Sequence, residues 1–170
     1  LKAGDHVVEV IYEYDGIYAT KSNSTVFNVA KANTTVDVAV PTPKYVGDDV
    51  RINVTLNSRV NGTVILKVGN NNYTVTVVNG NGSYVVSNLA RNTYEVKAVF
   101  AGNENFTDNA SSVKQLVVNQ IPTNLTLTVN ATINVGQDAI VKVELNQTIT
   151  ASVVVKVNGR EYTVGLVGGK

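Results

Sequence analysis

Slid along itself, the chain matches its own copy, and the length of that repeat limits what it can fold into. A shift of 88 residues lays Leu1 on Leu89, Val8 on Val96, Val10 on Ala98, Tyr12 on Phe100, Tyr18 on Phe106 and Ser24 on Ser112, so the first thirty residues copy 89 to 118. A shift of 89 then lays Val36 on Leu125, Val46-Gly47 on Val135-Gly136, Asp49 on Asp138 and Leu56-Asn57 on Leu145-Asn146. It also brings Val64 onto Val153, Val68 onto Val157 and Tyr73-Thr74-Val75 onto Tyr162-Thr163-Val164. A unit near 90 residues is too long for a solenoid turn and fits a tandem array of sandwich domains. The expected organisation is the C-terminal part of one module at 1–30, a complete module at 31–118 and the N-terminal half of the next at 119–170. The joins, Val29 to Asn33 and Val118 to Pro122, carry no Gly/Ser spacer, so neighbours are expected end to end with limited bending.

Within each repeat the period is that of strands. Val50, Ile52, Val54 and Leu56 alternate with Arg51, Asn53 and Thr55, and Ala139 to Leu145 repeats the pattern, which makes a half-buried strand. Tyr94, Val96, Ala98 and Phe100 form a second inward set, while Val64, Leu66 and Val68 with Val75 and Val77 add further strands. Turns are expected at Gly69 to Asn72 and at Asn79 to Gly82. The spacing predicts seven strands near 35–40, 50–57, 62–68, 72–78, 83–87, 93–101 and 110–118, with no helical period. The fold class is therefore all-β, with tandem immunoglobulin-like (Ig-like) sandwich modules of about 88–89 residues. Val and Thr, which favour strands, and Asn and Gly, which favour turns, supply the composition this requires.

The run Leu89-Ala90-Arg91-Asn92-Thr93-Tyr94-Glu95-Val96, with Phe100-Ala101-Gly102 and Phe106 after it, resembles the second-half signature of bacterial Ig-like repeats of the large surface-adhesin type. Leu1 to Val8 and Tyr12 to Tyr18 match it again, with His6 where that signature has Tyr. A first-half hallmark, V-G-D before an alternating strand, stands as Val46-Gly47-Asp48 and, altered, as Val135-Gly136-Gln137. The resemblance covers the whole chain, and the Asn- and Thr-rich flavour is similar to adhesin-like proteins of methanogenic archaea. It implies an extracellular, cell-surface stalk or adhesin and transfers no catalytic residue.

Asn-x-Ser/Thr occurs at Asn23, Asn33, Asn53, Asn61, Asn72, Asn81, Asn105, Asn109, Asn124, Asn130 and Asn146. Roughly three or four such sequons are expected by chance from this composition, so they are candidate N-glycosylation sites. Strand alternation of Asn and Thr accounts for some of them, Asn53 and Asn124 in particular. Asn61, Asn72, Asn81 and Asn105 fall in expected turns, where a transferase reaches them. His6 is the one histidine, which leaves no histidine triad or multi-histidine metal site within this segment. Its alignment with Tyr94 gives both the place of a tyrosine-corner residue that bonds nearby backbone. Repeat spacing assigns Tyr12, Tyr18, Phe100 and Phe106 to packing rather than to a sugar-stacking platform. Asp48 and Asp49 suit a turn before a strand better than a cation or acid/base pair, because adjacent strand residues face opposite ways and Gln137 replaces the first. Calcium at junctions, through Asp5, Asp15, Glu104 or Asp108, and Lys–Asn isopeptide bonds are lesser expectations, since Lys67, Lys97 and Lys142 occupy outward positions.

With a net charge of +1 and scattered Lys and Arg, the chain offers no basic stripe for nucleic acid or anionic lipid, and no segment is apolar for long enough to insert in a membrane. No cofactor and no enzymatic activity are expected. The two ends are complementary parts of one module, so the expected partners are neighbouring copies of the repeat, met head to tail in the same long chain or in another molecule. The alternative is a module that itself binds glycan or protein.

Overall fold

The computed structural model describes residues 1–57 and 60–170. Every regular element among them is a strand. The chain divides into two compact units, Leu1–Gln120 and Ile121–Lys170.

The first unit begins with an antiparallel hairpin, β1 (Gly4–Tyr12) against β2 (Lys21–Val29), paired without interruption from Gly4↔Val29 to Tyr12↔Lys21. A two-sheet sandwich follows. One sheet holds β3 (Val36–Ala39), β5 (Val50–Leu56) and β8 (Asn81–Val86) in the order β3-β5-β8. The other runs β4 (Lys44–Tyr45), β11 (Lys114–Asn119), β9 (Asn92–Phe100), β6 (Gly62–Val68) and β7 (Asn71–Val77), with β10 (Asn109–Ala110) also on β9. The seven expected strands of 31–118 are all present. The last of them is divided into β10 and β11, and the short β4 had no counterpart in the sequence pattern.

Alternation decides the core. Val50, Ile52, Val54 and Leu56 from one sheet meet Val64, Leu66, Val68, Val75, Val77, Val96, Ala98, Phe100, Leu116 and Val118 from the other in a single buried cluster. The intervening Arg51, Asn53 and Thr55 face solvent. Such burial contributes roughly 1.5–3 kcal/mol for each Val, Leu, Ile or Phe side chain relative to exposure. Two turns are tighter than the sequence suggested. Gly69-Asn70 alone joins β6 to β7, leaving Asn71 and Asn72 in the strand. Asn79 and Gly80, at φ +49° and +80°, form a primed turn between Val78 and Asn81, which exchange both backbone hydrogen bonds. Gly80 is required twice over, since a Cβ there would sit 2.7 Å from the carbonyl oxygen of Leu56 as well as at positive φ.

The structure moves the change of repeat length. Asn109 pairs with Phe100 and Lys114 with Val96, so five steps along one strand answer four along the other. This is a β-bulge, and it holds the extra residue that separates a shift of 88 from one of 89. The change therefore lies between β10 and β11 rather than after residue 30. Phe27 corresponds to Leu116, and Val29 to Val118. Buried Ser111 stabilises the bulge: its hydroxyl accepts the Ala98 N–H at 3.0 Å and donates to the Ser112 carbonyl at 2.8 Å.

The second unit contains two antiparallel hairpin-like pairs, β12 (Leu125–Val129) with β13 (Val141–Leu145), and β14 (Ala151–Val157) with β15 (Arg160–Leu166). It reproduces the strand register of β3–β5 and β6–β7 and the backbone bonds that close their ends. Leu56 N–H donates to Gly80 O at 2.7 Å and Gly80 N–H to Val60 O at 2.8 Å; 89 residues on, Leu145 donates to Gly169 at 2.8 Å and Gly169 to Ile149 at 2.9 Å.

Candidate functional site at the open apolar faces

Two surfaces stand out because their sequence matches buried core and their side chains are not buried. On the β1–β2 hairpin, Val8, Val10 and Tyr12 are 43%, 68% and 43% exposed, whereas Val96, Ala98 and Phe100 at the matching positions are at most 2% exposed. Phe27 is also exposed, while its counterpart Leu116 is fully buried. In the second unit, Val141, Val143, Val155, Val157, Tyr162 and Val164 line an apolar trough of about 600 Å³ between the two strand pairs. Their counterparts Ile52, Val54, Leu66, Val68 and Val75 are buried in the sandwich. Tyr12 and Tyr18, expected to pack, are exposed on the β1–β2 hairpin, whereas Phe106 packs on the core.

Local geometry is nevertheless preserved at both open surfaces. Tyr94 donates its hydroxyl to Ala90 O at 3.0 Å, and His6 Nε2 lies 2.7 Å from Lys2 O, so the histidine fills the corner position expected of it and stacks on Phe27. Asn103 Oδ1 accepts the N–H groups of Asn105 and Phe106, and Asp15 Oδ1 accepts those of Ile17 and Tyr18 at 2.9 Å each. This Asx turn was not anticipated; the aligned pair Asp15 and Asn103 two residues before a turn was its signal. The Tyr12 hydroxyl also donates to Asp15. That bond and the two backbone donors pull the Asp15 carboxyl down to about 2, and the same contact raises the Tyr12 phenol. Asp48 accepts the Tyr45 N–H at 2.9 Å, and Gln137 accepts the Asn134 N–H at 2.9 Å, so both are turn residues, with Gly47 and Gly136 at φ +91°. Asp49 accepts the Ser87 hydroxyl.

The carboxylates considered for calcium are spread over separate partners. Asp5 accepts from Asn28 Nδ2, Asp15 caps its own loop, and Glu104 pairs with Lys2 at 3.0 Å, which lowers the Glu104 carboxyl. Among the described residues no three His, Asp or Glu side chains gather where a metal would be held. Lys67 and Lys142 are exposed and Lys97 is half-buried. The Lys2–Glu104 pair and the bond from Ala3 N–H to Asn105 Oδ1, at 2.9 Å, tie the first hairpin to the 103–106 loop of the sandwich.

The sequon asparagines are exposed except Asn105, which is half-buried. Asn23, Asn53 and Asn72 lie within β2, β5 and β7, and Asn81 and Asn109 open β8 and β10. Asn33, Asn61, Asn105, Asn124, Asn130 and Asn146 lie between strands. Asn72 and Asn81 are thus strand residues, not turn residues, because each two-residue turn closes before them. The amide nitrogen that a glycan would occupy is engaged at Asn81, by Asn79 O, and at Asn109, by Thr34 O. No family model, no curated protein and no solved structure matches this chain.

Proposed function

We propose that the chain is a run of Ig-like structural repeats forming the stalk or filament of an extracellular, cell-surface adhesin, in which each open half-module is completed head to tail by the matching strands of a neighbouring repeat. One observation carries this reading: the two open surfaces repeat the strand pairing, the corner bond and the turn bonds of the two parts of the closed sandwich that lies between them in sequence, apart from the bulge at Ser111. An apolar face of this size is costly to leave in water, and its natural complement is a face of the same design. The short joins and the Lys2–Glu104 and Ala3–Asn105 contacts suit repeats that resist bending. Glycans on exposed sequons, Asn23, Asn53 and Asn130 among them, would shield such a stalk from proteases.

The reading is tested by a chain in which a copy of residues 82–118 follows Lys170. The appended strands should bury Val141, Val155 and Val164, and the 121–170 unit should then unfold in one cooperative step near the midpoint of the central sandwich. Pulled from its ends, the extended chain should release two equal lengths of about 300 Å, the contour of one repeat. Continued low-denaturant unfolding of 121–170 with the strands appended would overturn the repeat reading. Intact mass before and after glycosidase treatment, on material from a glycosylating host, reads out sequon occupancy.

A further inference from the structure

In the complete sandwich, one line of hydrogen bonds joins the segment where the chain enters to the segment where it leaves. Ala32 pairs with Phe106 in parallel, the Ala32 N–H donating to Asn105 O at 2.8 Å and the Thr107 N–H to Ala32 O at 3.0 Å. Thr34 continues the line: its N–H donates to Thr107 Oγ1 at 3.2 Å, its hydroxyl donates to Thr107 O at 2.6 Å, and its carbonyl accepts the Asn109 side-chain amide. After that, β3 turns aside to pair with β5 in the other sheet. The line resumes where Thr42 Oγ1 accepts the Val117 N–H at 3.1 Å. Lys44 and Tyr45 of β4 then pair in parallel with Val118 and Asn119 of β11, and the Val46 N–H donates to Asn119 O at 2.9 Å. Throughout, the partners stay 73 to 75 residues apart, so the entry and exit segments run side by side in the same direction.

We infer that this parallel seam is the element that carries tension through the module, because a pull along the chain loads its bonds together, in shear. The inference deepens the stalk reading above by naming what holds such a stalk under tension. Its direction follows from connectivity. Tension enters at Ala30, after the β1–β2 hairpin, and leaves at Gln120, ahead of the 121–170 unit. It draws residues 31–46 backwards and residues 105–119 forwards. Parallel segments pulled in this way slide along each other, and the evenly spaced bonds between them are strained at once. Pulled apart from one end, the same bonds would break in turn. Once the seam parts, β11 is free to leave and to take Leu116 and Val118 out of the core.

Side chains lengthen the seam where the backbone cannot. Pro41 and Pro43 have no N–H to donate, and the Thr42 hydroxyl between them adds a bond ahead of β4. The seam also gives two sequons a second use, since Thr107 and Asn109, from the sequons at Asn105 and Asn109, both bond Thr34.

The chain contains no cysteine, so handles on paired introduced thiols set the direction of pull. Ala30, Val46 and Gln120 are exposed, and cysteine at each of them keeps the backbone donors of the seam. In the full chain, Ala30→Cys/Gln120→Cys loads the seam in shear, whereas Val46→Cys/Gln120→Cys opens it from its exit end. At one constant force, the sandwich should unfold at least about ten-fold faster in the second arrangement, although the two chains share a urea midpoint. Two substitutions in the Ala30→Cys/Gln120→Cys chain separate the seam from overall stability. Thr42→Val removes the acceptor of the Val117 N–H and should raise the unfolding rate under force about five-fold. Val77→Ala, in the buried core on β7 and off the seam, should lower the urea midpoint further yet leave that rate within about two-fold, since its contacts still stand when the seam ruptures. Equal rates in the two pulling directions, or rates that follow urea stability through both substitutions, overturn the seam. Either result leaves the repeat reading standing, because the 82–118 extension tests that reading by itself; failure of the extension, in turn, leaves the seam as a property of the closed sandwich.

Discussion

The pair β1–β2 and the pair β9–β11 are near-copies in sequence that live in different surroundings. Both keep the antiparallel pairing, the corner hydrogen bond at His6 or Tyr94, and the Asx turn at Asp15 or Asn103. They differ in what lies over the apolar face. Phe100 is 2% exposed beneath the opposing sheet, and Tyr12 is 43% exposed with none. Hairpin geometry is set by turns and by cross-strand pairs, which are local. Burial is set by a second layer, which a hairpin cannot provide for itself.

That contrast can be broken most forcefully in the core. Phe100→Ala should cost about 3–5 kcal/mol in urea unfolding of the central sandwich, and Tyr12→Ala should leave that transition nearly unmoved, because only the former opens a cavity. Equal losses would mean that β1–β2 is packed in solution as β9 is. A smaller difference is expected at the bulge. Ser111→Ala removes the partner of the buried Ala98 N–H and should cost about 1–3 kcal/mol, while Asn23→Ala, 88 residues earlier on an uninterrupted strand, should be close to neutral. Gly80→Ala forces a clash with the Leu56 carbonyl as well as an unfavourable φ, and should destabilise by about 1–3 kcal/mol; Gly47→Ala, with open space around its Cβ position, should lose less.

The smallest effect separates the two Asx turns by pH. The folded-state pKa of Asp15, about 2, lies below the usual carboxylate value near 3.9, so its contribution is complete above roughly pH 4 and is lost as pH falls through 2. Protection of the Ile17 and Tyr18 amides from exchange, taken relative to the free-peptide rate at each pH, should therefore fall over that window. The protection of Asn105 and Phe106, bonded to the non-titrating Asn103, should stay constant, and Asp15→Asn should remove the dependence from the first loop. A parallel loss of protection at all four amides would show that the loops open for some reason other than the carboxylate.

Much of the fold was legible in the chain itself. The period near 90, the alternation at Val50 to Leu56 and the glycines at turns fix where the strands fall and which faces turn inward, because side-chain alternation along a strand and positive φ at Gly are properties of the local backbone; the order of the strands in the two sheets came only from the structure. The corner role of His6 was legible for the same reason, as its acceptor lies four residues away at Lys2. The bulge at Ser111 was not, since a one-residue insertion in a repeat is invisible until register is known on both strands. Nor was the trough between β13 and β14 as an unfilled volume: Val141 and Val155 read from sequence as core, and whether a core residue is covered depends on which strands stand opposite it. Sequence determined which faces are apolar and in what order they recur; only the tertiary structure decided which of them are closed, because burial is a relation between layers and alternation describes one layer at a time.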